Sequence, residues 1–278
     1  MKRRLIALVL GIILVLASPL SAQAFFDTQH HWAGNTIRHL TAREIVHGKS
    51  AEIFAPNLPV TRAEFATLLT NGLGQWEETR SLQQGSSSFS DINSGFWAKG
   101  SLELCFELQI MVPDNRGRCY PNRSITRAET AVMVAKALGL TGSEELNFAD
   151  SRRIPTWAAE SVSAVFDAGI LKGYPDGTFQ PQNNLTRAEA AVIIEKILEY
   201  QGDKYQGAGR LLSLDVVNRT ARLSVNGQTH NFDLADNFVL QPLPGAGHLG
   251  LPFPCYFDLN RQGELVYCLQ METDGDQP

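Results

Sequence analysis

Three copies of the tetrapeptide Thr-Arg-Ala-Glu constrain this chain more than any other feature of its sequence. Each copy begins 29 residues after the tryptophan of a Trp-Ala pair. The threonines are Thr61, Thr126 and Thr186, and the tryptophans are Trp32, Trp97 and Trp157. This fixed spacing indicates an internal repeat of about 60 residues, and each repeat must bury its apolar face against its neighbours.

Each repeat predicts two helices joined by a loop. Apolar residues follow each tryptophan at helical spacing, as in Trp32, Ile37 and Leu40 of the first repeat. The second helix is expected to begin at Thr-Arg-Ala-Glu, because a Thr followed three residues later by Glu forms a capping box. Alanines such as Ala63 and Ala66 then give that helix a buried face that lets its neighbour approach closely.

Capping and packing account for the Thr, Ala and Glu but leave the arginine unexplained. Arg62, Arg127 and Arg187 would lie in the first turn of a helix, where the helix dipole favours anions. One interpretation is that each arginine meets an anionic ligand, for which a guanidinium is well shaped. The other is that each pairs with a local carboxylate, such as the Asp of its own repeat.

Two further motifs keep the same register. A Phe-x-Asp precedes each tryptophan, and the third repeat has a loop that reads Gly-Tyr-Pro-Asp-Gly-Thr-Phe-x-Pro from Gly173 to Pro181. Together with Trp-Ala and Thr-Arg-Ala-Glu, these motifs resemble the S-layer homology (SLH) domain, present three times between about residues 25 and 200. The resemblance implies three helical repeats in a pseudo-threefold arrangement. It also implies noncovalent binding of a cell-wall-linked anionic polysaccharide, often pyruvylated, in grooves between the repeats.

The resemblance further implies which residues contact the glycan. The arginines would bind its carboxylate, the aspartates its hydroxyls, the tryptophans would form walls and two loop glycines would allow close backbone approach. Besides the arginines and tryptophans named above, these are Asp27, Asp91, Asp150, Gly48 and Gly173. Two alternatives stay open: each tryptophan could instead anchor its helix in the core, and each aspartate could simply cap a helix.

The three copies differ from one another. The middle repeat has Pro113 where the others have Gly48 and Gly173, and proline has no N–H to offer a ligand. The first repeat replaces Pro-Asp-Gly-Thr with Ser-Ala-Glu-Ile at 50–53. We therefore expect unequal grooves. Arg187→Ala should weaken wall binding more than Arg127→Ala, with folding unchanged because the Thr-Glu caps remain.

The two ends of the chain have other patterns. A basic start, a short apolar run and Ala22-Gln23-Ala24 predict a secretory signal peptide over 1–24, with an uncleaved membrane anchor as the alternative. Removal of the signal peptide changes the formal net charge from -5 to -8. So acidic a chain is not expected to bind nucleic acid. Short strand patterns after Gln201, which include separate strands at 229–234 and 237–240 and a turn at Asn226-Gly227, predict a small β domain. The stretches 75–88 and 141–147 are interpreted as linkers.

Four cysteines in an exported chain suggest disulfides. Cys105 and Cys119 both take core positions of their repeat, which predicts one bond between them. A turn centred on Arg261 and Gln262 would place Cys255 opposite Cys268 in the last hairpin, although a bulge at Gly263 would move the register. Both pairings are predictions about the fold as well as about the oxidation state.

The sequence therefore predicts an α+β multidomain protein with three helix-loop-helix repeats followed by a small antiparallel β barrel or sheet. The expected segments are a signal peptide (1–24), three repeats (25–74, 88–139, 147–200) and a β domain (208–272). We expect noncatalytic anchoring in the cell wall or envelope, with no cofactor, no metal site, no membrane span after cleavage and an unknown partner for the β domain. A wall-active hydrolase and a self-assembling surface-layer component are the alternatives.

Overall fold

A computed structural model describes residues 25–143, 146–243 and 250–272. The predicted signal peptide lies outside these residues. The described helices are α1 (Gly34–Ala42), α2 (Arg62–Gly72), α3 (Trp76–Leu82), α4 (Lys99–Glu107), α5 (Arg127–Leu138), α6 (Thr156–Asp167) and α7 (Arg187–Gln201). The strands are β1 (Gly207–Asp215), β2 (Thr220–Val225), β3 (Gln228–Gln241), β4 (Phe253–Leu259) and β5 (Leu265–Gln270). In the described part of the chain, no helix is long and apolar enough to span a bilayer.

The three repeats close into a ring through backbone hydrogen bonds just before their second helices. The Val60 N–H donates to Leu185 O (2.9 Å), the Leu185 N–H to Ile125 O (3.0 Å) and the Ile125 N–H to Val60 O (3.0 Å). Each repeat thus donates to one neighbour and accepts from the other. This cyclic pattern confirms the expected pseudo-threefold arrangement, and a single apolar core runs through all three repeats.

Each repeat has the two predicted helices, α1 and α2, α4 and α5, and α6 and α7. One linker prediction is wrong, because 75–88 contains the short helix α3, which packs against α4. Gly100 makes this packing possible, since a Cβ there would collide with the Thr79 carbonyl. The Gly100 N–H also donates to Gln83 Oε1 (2.8 Å).

The C-terminal strands form a closed barrel in the order β1-β2-β3-β5-β4, in which β1 also pairs with β4. All neighbouring strands are antiparallel except β3 and β5. The predicted turn is confirmed, because Asn226 and Gly227 both have positive φ between β2 and β3. Two strands predicted at 229–234 and 237–240 are one continuous strand, β3.

The barrel packs directly on the repeats. Ala42 at the end of α1 belongs to a small buried cluster with Ala235, Val239, Val266 and Tyr267 of the barrel. Beside this cluster, His39 of α1 is almost fully buried and contacts two carboxylates. Its Nε2 lies 3.0 Å from Asp258 Oδ2 in β4, and its Nδ1 lies 3.2 Å from Glu195 Oε1 in α7. A polar cluster therefore joins the first repeat, the third repeat and the barrel.

The cysteines differ from the prediction. All four are buried free thiols, so neither predicted disulfide is present in the structure. Burial raises the pKa of Cys105 and of Cys119 to about 12, which keeps both protonated. The hairpin register was also wrong: Cys255 pairs with Gln270 and Cys268 with Phe257, because the turn includes more residues than Arg261 and Gln262 and the ladder shifts beside Leu259. Cys255 and Cys268 nevertheless both lie in the buried core of the barrel, and the Cys268 thiol holds the pKa of Cys255 below its usual value.

Candidate functional site

All three second helices start with the capping box that the sequence predicts. In the third repeat the Glu189 N–H donates to Thr186 Oγ1 (3.2 Å), and the Thr186 N–H donates to Glu189 Oε2 (2.8 Å). The N–H groups of the two intervening residues are also engaged. The Arg187 N–H donates to Leu58 O and the Ala188 N–H to Pro56 O, at 2.9 Å each. The helix starts are therefore bonded to the neighbouring repeat, and these N–H groups are not free to bind an anion.

The three arginines cross from each repeat to the next. In each case Nε donates to the loop carbonyl of the next repeat in the ring, at 2.7–2.8 Å: Arg62 to Cys119 O, Arg127 to Phe179 O and Arg187 to Phe54 O. Two of them make a second bond of the same kind, Arg127 Nη2 to Lys172 O (2.9 Å) and Arg187 Nη2 to His47 O (2.7 Å).

The arginines are also largely buried, and each lies beside the Glu of the neighbouring capping box. Arg62 Nη1 lies 2.7 Å from Glu129, whereas the corresponding distances for Arg127 and Arg187 are 3.7 and 3.8 Å. Arg127 and Arg187 stack over the Phe179 and Phe54 rings (4.9 and 4.4 Å), but the first repeat's arginine faces Cys119 instead of a ring. The arginine is thus a structural link between repeats, and these contacts lead us to expect that its removal affects folding, which differs from the expectation based on the caps alone.

The three aspartates hold the loop of their own repeat. Both carboxylate oxygens of Asp150 accept backbone N–H groups, from Phe179 (2.7 Å) and Gln180 (2.8 Å). Asp27 and Asp91 accept in the same way from Phe54 and Ala55 and from Cys119 and Tyr120. The second residue of each pair has positive φ, so the carboxylate fixes a tight bend of the loop. None of the three caps its helix; any contact with sugar hydroxyls would be additional to this role.

The three tryptophans lie on the surface. Trp32, Trp97 and Trp157 are 67%, 57% and 62% exposed. The alternative in which they anchor the helical core is therefore excluded, since the alanine after each tryptophan is the buried residue. An exposed indole face is available for stacking against a ligand.

The glycine and proline loops differ as the sequence suggests. A Cβ at Gly173 would lie 2.9 Å from the Phe148 ring, and one at Gly48 would collide with Phe25, so both glycines allow close packing of the loop. Because Arg127 bonds to Lys172 and Arg187 to His47, the structure pairs Gly173 with Arg127 and Gly48 with Arg187. Pro113 consequently belongs with Arg62, so the pairing of loops with arginines differs from the one behind the expected ranking of Arg187 above Arg127.

Two equivalent cavities lie between the repeats. The first, which we call the Trp32 groove, has a volume of about 190 Å³; its lining includes Trp32, Arg127, Leu171, Lys172, Glu189 and Lys196. The second, the Trp157 groove, has about 160 Å³; its lining includes Trp157, Arg62, Met111, Val112, Glu129 and Lys136. In each groove the tryptophan, the arginine and the remaining wall come from three different repeats, so the sites require the complete ring.

The grooves contain lysines that the sequence analysis did not select. Lys196 and Lys136 occupy the same position in α7 and α5, and Lys172 adds a second amine to the Trp32 groove. The corresponding residues beside Arg187 are Asn71 and His47, and Asn71 is buried with its amide donating to Ile45 O (3.3 Å). The equal spacing of the two lysines from Thr-Arg-Ala-Glu was the signal that could have identified them. The two grooves thus differ in their number of lysines.

A family model described as S-layer homology domain matches residues 25–66, 88–131 and 147–191. The chain is similar over 187 residues to an amylopullulanase of Thermoanaerobacterium thermosulfurigenes, with 36% identity across 65% of this chain and 10% of that protein. It is 31% identical to a cellulosome-anchoring protein of Acetivibrio thermocellus, across 55% of this chain and 35% of that protein. A surface-layer 125 kDa protein of Lysinibacillus sphaericus is 26% identical across 69% of this chain and 16% of its own length.

These similarities cover the repeats of this chain but little of most relatives. The chain spans between 10% and 18% of the length of the first three relatives, which include an exoglucanase and an endoglucanase. What these proteins share with the chain is therefore a segment of each of them. Within the described residues, no group of three or more metal-ligating side chains is close enough together to hold an ion.

Proposed function

Because this chain carries three tandem S-layer homology domains, we propose that it attaches noncovalently to the cell envelope by binding an anionic wall-linked polysaccharide. The Trp32 and Trp157 grooves are the binding sites. The observation that carries the proposal is that each groove combines an exposed indole from one repeat with cations and apolar wall residues from the other two.

The chemistry of the grooves suits an acidic glycan. A sugar ring presents an apolar face that can stack on the exposed indole, while its hydroxyls bond to polar neighbours. A carboxylate, such as that of a pyruvate ketal, would meet the amine of Lys196 or Lys136. It would also approach the arginine at the groove wall, whose charge remains although its Nε is bonded within the protein.

The Trp32 groove is the stronger site in this proposal. It has two lysines, and the Gly173 N–H beside it has no acceptor among the described residues. The Trp157 groove has one lysine and lies beside Pro113, which has no N–H to donate. Loss of one charge-assisted hydrogen bond corresponds to about 1.5 to 3 kcal/mol, or one to two decades in affinity.

The relatives support an anchoring role at the cell surface. A cellulosome-anchoring protein and a surface-layer protein share the repeats, and the enzymes among the relatives match over a small part of their length. We therefore place this protein in the envelope, with the repeats as a noncatalytic attachment module. The barrel is the part of the chain that remains for another partner.

Sedimentation with purified cell walls tests this function, with release of soluble wall fragments followed in the same tubes. We expect the protein to pellet with the walls without releasing fragments. The triple variant Trp32→Ala, Trp97→Ala, Trp157→Ala should stay in the supernatant instead of pelleting with the walls. It should still fold, because the indoles are exposed. Fragment release would favour a hydrolase, pelleting without walls would favour a self-assembling lattice, and pelleting of the triple variant would refute binding through the grooves.

A further inference from the structure

The C-terminal barrel has a recognisable connectivity. The strand order β1-β2-β3-β5-β4, closed by β1 on β4 and with β3 parallel to β5, is that of the oligonucleotide- and oligosaccharide-binding (OB) fold. In such barrels, ligands bind on the β2–β3 face and at the loops that follow β1 and β4. Fold alone does not establish function, so a site must be identified from its own residues.

The loop between β4 and β5 faces the repeats. The guanidinium of Arg261 in this loop lies 4.4 Å from the centre of the Trp76 ring at the start of α3. At the base of the loop, the Leu259 N–H donates to Gln206 Oε1 (2.6 Å), in the segment that connects α7 to the barrel. The loop is thus joined to the start of α3 and to the segment that follows α7.

A cavity of about 370 Å³ lies under this loop, distinct from both repeat grooves and larger than either. The ends of α1, α2 and α7 form its floor, and residues 259–261 form one wall. Its volume is within the range of small-molecule sites, which occur preferentially at domain interfaces and at the mouths of barrels.

The lining has the chemistry of a polyhydroxyl site. Four of its side chains make no hydrogen bond within the described residues, although Arg261 stacks on Trp76: Glu44, Gln201, Asp203 and Arg261. Two carboxylates accept, one guanidinium donates and one amide does both, which matches hydroxyl groups that are donors and acceptors at once. The indole of Trp76, over which Arg261 is stacked, adds an apolar contribution to the lining.

The charges of the lining favour an uncharged ligand. Arg43 and Arg261 are balanced by Glu44 and Asp203, and the formal net charge of the whole chain is -5. A nucleic acid would require a basic surface, which this balance does not provide. A lipid chain would require an apolar lining, which the four polar side chains interrupt.

We propose that this cavity between the barrel and the repeats is a second glycan site, which binds a short neutral saccharide. The site does not depend on the proposed function of the repeats. A chain with both sites would hold an acidic glycan in the grooves between its repeats and a neutral one at the junction with the barrel, thereby connecting two envelope polymers.

Calorimetric titration of the full chain with N,N′-diacetylchitobiose and with cellobiose tests the proposal. We expect saturable binding of at least one of them, with a Kd in about the millimolar range, as is usual for a few hydrogen bonds and a small apolar contact. Gln201→Ala and Asp203→Asn should each weaken that binding by about tenfold or more. Both side chains are exposed, so the variants should unfold at the temperature of the parent.

Trp157→Ala is the matched control, because Trp157 lines a repeat groove and not this cavity. It should leave disaccharide binding unchanged, so failure of the wall-binding function and failure of this site give different results. The proposal is overturned if neither disaccharide binds saturably, if binding survives both cavity variants, or if Trp157→Ala removes it. Competition by inorganic phosphate would also overturn it, since the site would then be an anion site.

Discussion

At the scale of single residues, the arginine of Thr-Arg-Ala-Glu links two repeats and also lies at the wall of a proposed glycan groove. The sequence shows that capping does not explain it, and the structure shows that it bonds to loop carbonyls of the next repeat. Arg187 and its acceptor Phe54 are 133 positions apart, so no local pattern could have predicted this contact. The caps were predictable because Thr and Glu meet within one turn.

Arg187→Ala is therefore expected to lower the free energy of unfolding. The substitution leaves the carbonyls of Phe54 and His47 without their donor in a buried site, at a cost of about 2 to 4 kcal/mol. Chemical denaturation monitored by circular dichroism measures this loss. Arg152→Ala is the control, because that side chain is exposed and makes no hydrogen bond in the described structure. Equal stability of the two variants would show that the arginine link between repeats does not contribute to the free energy of unfolding.

The aspartates show a similar limit of sequence reasoning. Phe-x-Asp was interpreted as a glycan contact or a helix cap, whereas each carboxylate binds two consecutive N–H groups of a loop about 28 residues further along. Spacing alone reveals that such residues recur but does not reveal their partner. A sugar contact by Asp27, Asp91 or Asp150 stays a prediction.

At the scale of elements, the helices of the repeats were predictable from apolar spacing and caps, but α3 was not. None of the residues of α3 is buried. The helix packs closely on α4 because Gly100 has no side chain that would collide with it. The two strand predictions at 229–234 and 237–240 merged because β3 continues from one side of the barrel to the other.

Gly100→Ala tests the packing of α3. The added methyl group would meet the Thr79 carbonyl, and overpacking of this kind costs about 1 to 3 kcal/mol. We expect a lower midpoint in thermal unfolding. Gly95→Ala is the matched control, since a Cβ there has room and Gly95 is exposed. A midpoint unchanged in Gly100→Ala would mean that α3 does not hold its position on α4.

The polar cluster between the repeats and the barrel predicts a pH dependence. Burial alone would lower the pKa of His39, but hydrogen bonds to Asp258 and Glu195 outweigh it and raise the pKa above 6.5. The other groups that face the ring are Tyr205 and Tyr267, while Arg43 lies 3.7 Å from Asp258. The folded state thus binds a proton more tightly than the unfolded state does, so its stabilisation is complete below pH about 6.5 and is lost as the pH rises through the raised value.

His39→Gln should remove this pH dependence, because an amide keeps hydrogen bonds but does not titrate. Thermal unfolding from pH 5 to 9 compares the two proteins. The parent should lose stability relative to the variant as the pH rises above about 6.5. Parallel curves for parent and variant would contradict a charged His39 at the junction.

At the scale of the whole molecule, the sequence predicted the ring of repeats and the small β domain, since both depend on patterns that recur along the chain. It could not predict how they are joined. The junction depends on contacts such as the one between His39 and Asp258. These two residues are 219 positions apart, and their contact is not repeated along the chain. The sequence likewise could not predict which loop contacts which arginine, because this depends on the order in which the repeats follow one another around the ring.

The direction of the ring also makes the three positions unequal, in an order that differs from the one expected from the sequence. The intact loop of the third repeat lies beside Arg127 and Trp32, and the altered loop of the first repeat lies beside Arg187. The repeat register assigns Trp97 to this Arg187 position, where Asn71 and His47 replace the lysines of the Trp32 groove. Affinity for an acidic glycan should therefore concentrate in the Trp32 groove.

The affinity of single tryptophan variants for soluble acidic wall polysaccharide tests this central claim most directly. The indoles are exposed, so Trp32→Ala and Trp97→Ala remove equal side chains from comparable surfaces without disturbing the core. We predict that Trp32→Ala weakens binding by about tenfold or more, or about 1.4 kcal/mol, and that Trp97→Ala changes it by less than about twofold. Equal losses in the two variants, or no loss in Trp32→Ala, would contradict binding in the Trp32 groove.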